Sequence, residues 1–213
     1  MTDTDAGTSA RKTGSRLSTA AIVLAFAAGI TMIVIGLRGF GPPTPDPADA
    51  LLDGAPPGHA PLSASEPVSL RIPAADIAAP LVRTGLDADG WVAAPPAEDT
   101  GTAGWYEGSV TPGARGTAVL VGHVDSAVGP AVFYHAGELS KGDRIEVARA
   151  DGSTVVFTVY RVQLFDTRTF PSEGVYRHTR HAELRLLTCG GTYREGRGYD
   201  GNIVVFARLT SVS

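Results

Sequence analysis

The sequence predicts an all-β domain, closed as a barrel or a sandwich, carried behind a membrane anchor and a proline-rich tether. Three observations predict it. Short runs rich in β-branched residues recur between turn signals from residue 68 onward, no window of twelve residues there has helical periodicity, and an uncharged stretch from Leu17 to Leu37 precedes them. The chain has 213 residues, 18 Lys plus Arg against 22 Asp plus Glu, and a formal net charge of −4, enough for one modest domain with something attached. Lys12 and Lys141 are the only lysines, so the chain lacks the basic footprint that a nucleic-acid partner needs. The single cysteine, Cys189, excludes an internal disulfide and a thiolate-based zinc site, and no metal or other cofactor is expected.

Residues 1–16 form a short N-terminal segment that carries Arg11, Lys12 and Arg16. LSTAAIVLAFAAGITMIVIGL follows over residues 17–37, 21 residues without a charge. That length matches the roughly 20 residues a helix needs to cross a bilayer. Only Arg38 follows it closely, so the positive-inside bias orients the chain as a single-pass protein of the cell membrane, N-terminus in the cytoplasm and the rest outside. A cleaved signal peptide is the alternative, but the apolar stretch exceeds the usual h-region and no small-x-small site follows it directly. Residues 38–67 contain eight prolines and no basic residue after Arg38, and they read as an extended tether with a reach of roughly 80 Å in polyproline II geometry.

The domain itself spans 68–213. Its runs are VSLRI at 68, LVRTG at 81, TAVLVGH at 117, RIEVARA at 144, TVVFTVYRVQLF at 154, ELRLLTC at 183 and NIVVFARL at 202. Seven or eight strands are expected. Asp151-Gly152 between two of them is a two-residue hairpin signal, because both positions tolerate positive φ.

Motifs for elbow-type serine hydrolases, zincins, P-loop enzymes and dinucleotide binding are missing from the sequence. One thiol and five histidines remain, and a thiol needs a base or a cation to act as a nucleophile at neutral pH. His59 falls in the tether, His178 and His181 in an arginine-dotted loop, and His135 in FYHAGEL is ambiguous. His123 ends one apolar strand and Cys189 ends another, the latter followed by Gly190-Gly191, where backbone amides could approach a bound acyl group. The pair is chemically meaningful only if the fold juxtaposes it; an inert strand cysteine and an unrelated histidine read equally well. Asp125, two residues after His123, either tunes the imidazole, contacts substrate or caps its loop through an Asx turn.

VGHVDS at 121, GPAVFYH at 129, L-x-x-GD at 139, FP at 170, VY at 175, LRLLTCGG at 184 and GYDGNIVVFA at 198 resemble a sortase, most of all the class F variant of actinobacteria. RIP at 71, PL at 80, DG at 89, AGWY at 103 and PG at 112 occur in the same order, so the resemblance covers about residues 68–210. It implies an eight-stranded closed β-barrel and a cysteine transpeptidase. Cys189 would attack the Thr-Gly carbonyl of an LPXTG-like sorting signal to form a thioester. His123 would protonate the leaving amine and deprotonate the incoming one, an amine of a peptidoglycan precursor or a pilin. The third group expected is an arginine on the strand after the cysteine, where this chain has Asn202 instead. Arg197 is the expected substitute and Arg194 the second choice; Arg208 lies too far along the strand and Arg185 braces the sheet. Asn202 could itself donate to the oxyanion or orient His123. Two other readings share these residues, a membrane-tethered Cys-His hydrolase and a catalytically impaired wall-binding β-domain.

Overall fold

The computed structural model describes residues 41–213, in which alternation of apolar and polar residues becomes a closed barrel. In chain order the strands are β1 (Pro67–Ile72), β2 (Ile77–Thr84), β3 (Ala103–Tyr106), β4 (Gly116–Val121), the short pair β5 (Asp125–Ser126) and β6 (Gly129–Pro130), β7 (Arg144–Arg149), β8 (Thr154–Asp166), β9 (Ala182–Arg194) and β10 (Gly198–Val212). Eight of them close in the order β1-β2-β3-β4-β9-β10-β8-β7, with β7 returning to β1. β5 and β6 pair only with each other. The barrel thus has no free edge, which removes the pairing liability of an open sheet. Seven of its strands coincide with the seven runs; the eighth is Ala103–Tyr106, too short to show as a periodic run.

Every second residue of the long strands points inward. In β8 Val155, Phe157 and Val159 are buried, and in β10 Ile203, Val205, Ala207 and Leu209 meet them in one core with Leu70, Ile72, Leu120 and Leu186. The outer face of β4, β9 and β10 is not left to solvent. Val119, Leu187, Val204 and Phe206 form a second apolar layer under the β8–β9 connection, with Phe165, Phe170 and Tyr176 packed against it. The connection holds the one α-helix described, α1 (Ser172–Tyr176), five residues long and therefore invisible to a helical-period test. At one end of this face Glu183, nearly fully buried, accepts from Arg185 at 3.1 Å, Arg208 at 2.8 Å and the Tyr160 hydroxyl at 2.8 Å. Arg185 also lies over Phe206, so it braces the sheet. Burial pushes the Tyr160 hydroxyl up to about 12.

Two expectations are corrected. Asp151-Gly152 does sit in the β7–β8 hairpin, but Gly152 alone takes positive φ, at 85°, and Asp151 instead caps the turn through Ser153. The stretch from Gly41 to Pro67 does not hang free as a tether: Gly41–Ser213 is one compact unit. Its carbonyls are captured by basic side chains of the barrel, Ala48 by Lys141 at 3.0 Å, Ala50 by Arg161 at 3.2 Å, Pro56 by Arg208 at 3.1 Å and Ser63 by Arg149 at 2.6 Å. Proline-rich backbone buries little apolar surface but offers unpaired carbonyls to cationic side chains, and these hold it. Among the described residues no helix is long and apolar enough to cross a membrane, and the span expected over Leu17–Leu37 lies outside them.

Candidate active site

β4 and β9 are parallel neighbours, with Val121 opposite Leu187. Two residues further along each strand stand His123 and Cys189. Equal offsets on parallel strands put both side chains at the same rim and on the same face, which is how two remote sequence segments meet. β10 then runs antiparallel to β9 and places Asn202 directly opposite Cys189. Directly opposed residues have Cβ atoms about 4.5–5.5 Å apart, so the carboxamide and the thiol share one spot. The three residues line a single cavity of about 300 Å³ together with Thr188 and the apolar walls Trp91, Val121, Phe170, Tyr176 and Leu187. Trp91 meets Phe170 edge to face at 6.4 Å, and Asp87 fixes the turn that presents it by accepting from the Asp89 and Trp91 amides. A larger cavity of about 520 Å³ adjoins, shares Trp91, Val92 and Tyr176, and contains His178 but neither His123 nor Cys189.

Cys189 is solvent-accessible at the mouth, yet the surrounding protein crowds the thiol. This burial, and secondarily the negative charge of Asp125, push its pKa above the ordinary thiol value. Both effects favour the neutral thiol over the thiolate. His123 is half-buried, and its Nε2 shares a 2.7 Å hydrogen bond with the Pro95 carbonyl oxygen. A ring held this way on the β2–β3 connection is oriented without a carboxylate partner.

Asp125 makes a contact that none of its three expected roles anticipated. Its carboxylate accepts from the Tyr199 hydroxyl across the rim, while Ser126 closes the β5–β6 turn by donating to the Gly129 carbonyl at 3.2 Å. Gly190-Gly191 also has a packing reason: a Cβ on Gly190 would lie 2.6 Å from Ile203, and Gly191, at φ 86°, sits where the β9–β10 register shifts. Both glycines serve close packing and a bulge.

Arg197 is not brought to the cavity, and neither is Arg194. Arg194 pairs with Gly198 near the tip of the β9–β10 hairpin, five residues beyond Cys189, roughly 17 Å at about 3.3 Å per residue. Its guanidinium faces Asp200 at 3.7 Å, and Arg197 occupies the exposed turn beyond it. Flanking glycines gave Arg197 the freedom to bend back, but the strands continue past Cys189 and carry the turn away. Arg208 is engaged with Glu183 and Pro56 as described. Of the other histidines, His135 pairs with Glu138 at 3.2 Å and His59 lies exposed on the docked N-terminal stretch. Among the described residues no cluster of three or more His, Cys, Asp or Glu is arranged to hold a metal. The walls Trp91, Phe170 and Tyr176 and the Asp125 partner Tyr199 had no chemical signature of their own; only Phe170, Tyr176 and Tyr199 fell within motif segments.

A thiol and an imidazole lining one cavity at the rim of a closed β-barrel, with aromatic walls, are the groups that a cysteine-dependent acyl-transfer site needs. The sequence model of the sortase domain matches residues 70–210, and the chain belongs to the sortase family. Membership implies a cysteine transpeptidase of the cell wall. Among solved structures, the chain is similar to sortase A of Listeria monocytogenes (18% identity, 71% of this chain and 90% of that one, TM-score 0.53). It is also similar to the sortase SrtA of Actinomyces oris (22%, 76% and 89%, 0.52) and to a lid mutant of sortase A from Corynebacterium diphtheriae (17%, 70% and 73%, 0.52). At these identities the likeness is one of fold. A comparison with the curated proteins finds no match.

Proposed function

We propose that this protein cleaves an LPXTG-like sorting signal between Thr and Gly and transfers the Thr acyl group to an amine of a peptidoglycan precursor or a pilin. The observation that carries the reading is the one cavity shared by Cys189, His123 and Asn202. The Cys189 sulfur adds to the Thr carbonyl carbon and its proton passes to His123. Imidazolium then protonates the departing glycine nitrogen as the C–N bond breaks, leaving a thioester. In the second half His123 takes a proton from the incoming amine, the new C–N bond forms and the C–S bond breaks, restoring the thiol. Asn202, opposite Cys189, donates its amide to the carbonyl oxygen as negative charge develops there. This reassigns the role expected of Arg197 to Asn202, the group the strand pairing places beside the sulfur. Trp91, Phe170 and Tyr176 exclude water and grip the apolar residues of the signal.

The class F-like, actinobacterial motif set and an N-in anchor over Leu17–Leu37 complete the proposal, which places the barrel outside the cell membrane. The test incubates the purified protein with an LPXTG peptide, with and without a primary amine, and follows products by mass spectrometry. Amine-dependent ligation with a Cys189-linked intermediate is expected. Release of acid at the same rate with and without amine would make it a hydrolase, and no cleavage at all would make it a wall-binding domain.

A further inference from the structure

The ladder that aligns β4 with β9 stops short of the chemistry. Its last paired residues are Val121 and Leu187, and its last hydrogen bond runs from the Gly122 amide to the Leu187 carbonyl at 3.2 Å. His123 and Cys189 both stand beyond it, on a loop and a hairpin that the ladder no longer holds together. Further out, Tyr199 on β10 donates its hydroxyl to the Asp125 carboxylate on β5. Among the described residues this is the one side-chain hydrogen bond between the β4–β5 segment and the β9–β10 hairpin. With the ladder it closes a frame around the site, His123 two residues from one corner and Asn202 three from another. The Tyr199 ring is itself fixed edge to face on Tyr193 at 5.3 Å, its cross-strand partner.

We propose that the Tyr199–Asp125 bond is a positioning latch, which holds the loop bearing His123 against the hairpin bearing Cys189 and turns part of the Asp125 charge away from the thiol. A loop and a hairpin joined at only one corner swing apart, and small misplacements of reacting groups cost large factors in rate. The charge half follows from the same contact. Asp125 acts on Cys189 through space and raises the thiol pKa, and the phenol that donates to the carboxylate draws its charge toward itself. Burial and Asp125 also push the Tyr199 hydroxyl up, so Tyr199 stays a neutral donor across the physiological range. The other titratable groups facing this frame are His123, which lines the cavity with the thiol, and Tyr134 of the 3₁₀ turn at Tyr134–Glu138, which faces Tyr199. Beyond the rim, Asp166 with Arg168 and Asp200 with Arg194 form surface pairs that neutralise each other.

The latch rests on the transpeptidase reading for its turnover, but not for its effect on the thiol. The experiment therefore measures iodoacetamide alkylation of Cys189 against pH and, separately, kcat and KM for an LPXTG peptide, in the wild type, Tyr199→Phe, Asp125→Ala and Asp125→Asn. Tyr199→Phe leaves the carboxylate unmasked, so its alkylation midpoint moves to higher pH. Asp125→Ala and Asp125→Asn remove the charge, and their midpoints move to lower pH. Tyr199→Phe and Asp125→Ala both break the bond and lower kcat by about tenfold with KM little changed, the loss expected of one charge-assisted hydrogen bond made in the reacting geometry. A structural defect alone does not move the two midpoints in opposite directions. Midpoints that all stay at the wild-type value or move the same way, or Tyr199→Phe turning over at the wild-type kcat, would overturn the latch. If the wild type cleaves no peptide, the transpeptidase reading falls while the alkylation profiles still decide the latch.

Discussion

Asn202 faces Cys189 because β10 pairs antiparallel with β9 in a register that no single residue announces. The consequence at the residue scale is a division between two side chains that the motif left as rivals. Asn202→Ala removes a donor beside the sulfur and should lower kcat by about 10²-fold, whereas Arg197→Ala, a change at an exposed turn, should stay within about twofold; steady-state kinetics on one peptide compares them. Cys189→Ala should abolish cleavage and leave the circular dichroism spectrum unchanged, since the side chain stands at a solvent-accessible rim. The thiol also makes a pH prediction with a definite sign. Burial and Asp125 disfavour the charged form, so the thiolate appears only above the ordinary thiol value of about 8.5, and the alkylation rate should still be rising there. A midpoint near 7 would show that a cation reaches the sulfur after all.

Strands and connections set what those residues can touch. The parallel β4–β9 pair brings His and Cys to one rim, and the β8–β9 connection with α1 drops an aromatic shelf beside them. On the far side of β8, the proline-rich stretch is strapped by Lys141 and Arg161, whose donors hold the Ala48 and Ala50 carbonyls while Lys141 also pairs with Asp53. Several of these groups are exposed, so each bond contributes modestly, and the strap holds through their number. Lys141→Ala combined with Arg161→Ala should speed amide hydrogen exchange over Ala48–Asp53 by about tenfold, with little change in the core strands. Equal exchange in both proteins would mean that the prolines hold the stretch unaided. Some of this scale was readable beforehand: seven of eight barrel strands follow from β-branched runs, and Cys189 and His123 from their strand-end placement. The eighth strand and the strap were not, because a four-residue strand has no period and a hydrogen bond to a distant carbonyl leaves no mark in local composition.

For the whole molecule, the closed barrel is a platform with His123, Cys189 and Asn202 at one rim, and the proposed anchor over the uncharged stretch Leu17–Leu37 is open to a direct test. Expressed from its own start, the full chain should fractionate with membranes, remain there in high salt, and expose the barrel to protease only from outside. A soluble mature form whose N-terminus begins beyond residue 40 would rule out the anchor.

By itself the sequence determined the alternating core, the strands long enough to show a period, the uncharged stretch over Leu17–Leu37 and the identity of the thiol and imidazole. These depend on neighbours in the chain, where burial and β-propensity act locally. Tertiary structure alone decided that His123 and Cys189 share a rim, that Asn202 and not Arg197 stands beside the sulfur, that Tyr199 reaches Asp125, and that the proline-rich stretch is bound. Each of those is a pairing between positions that are not neighbours in the chain, set by how the closed barrel satisfies its backbone hydrogen bonds and fills its core, and local composition does not express such constraints.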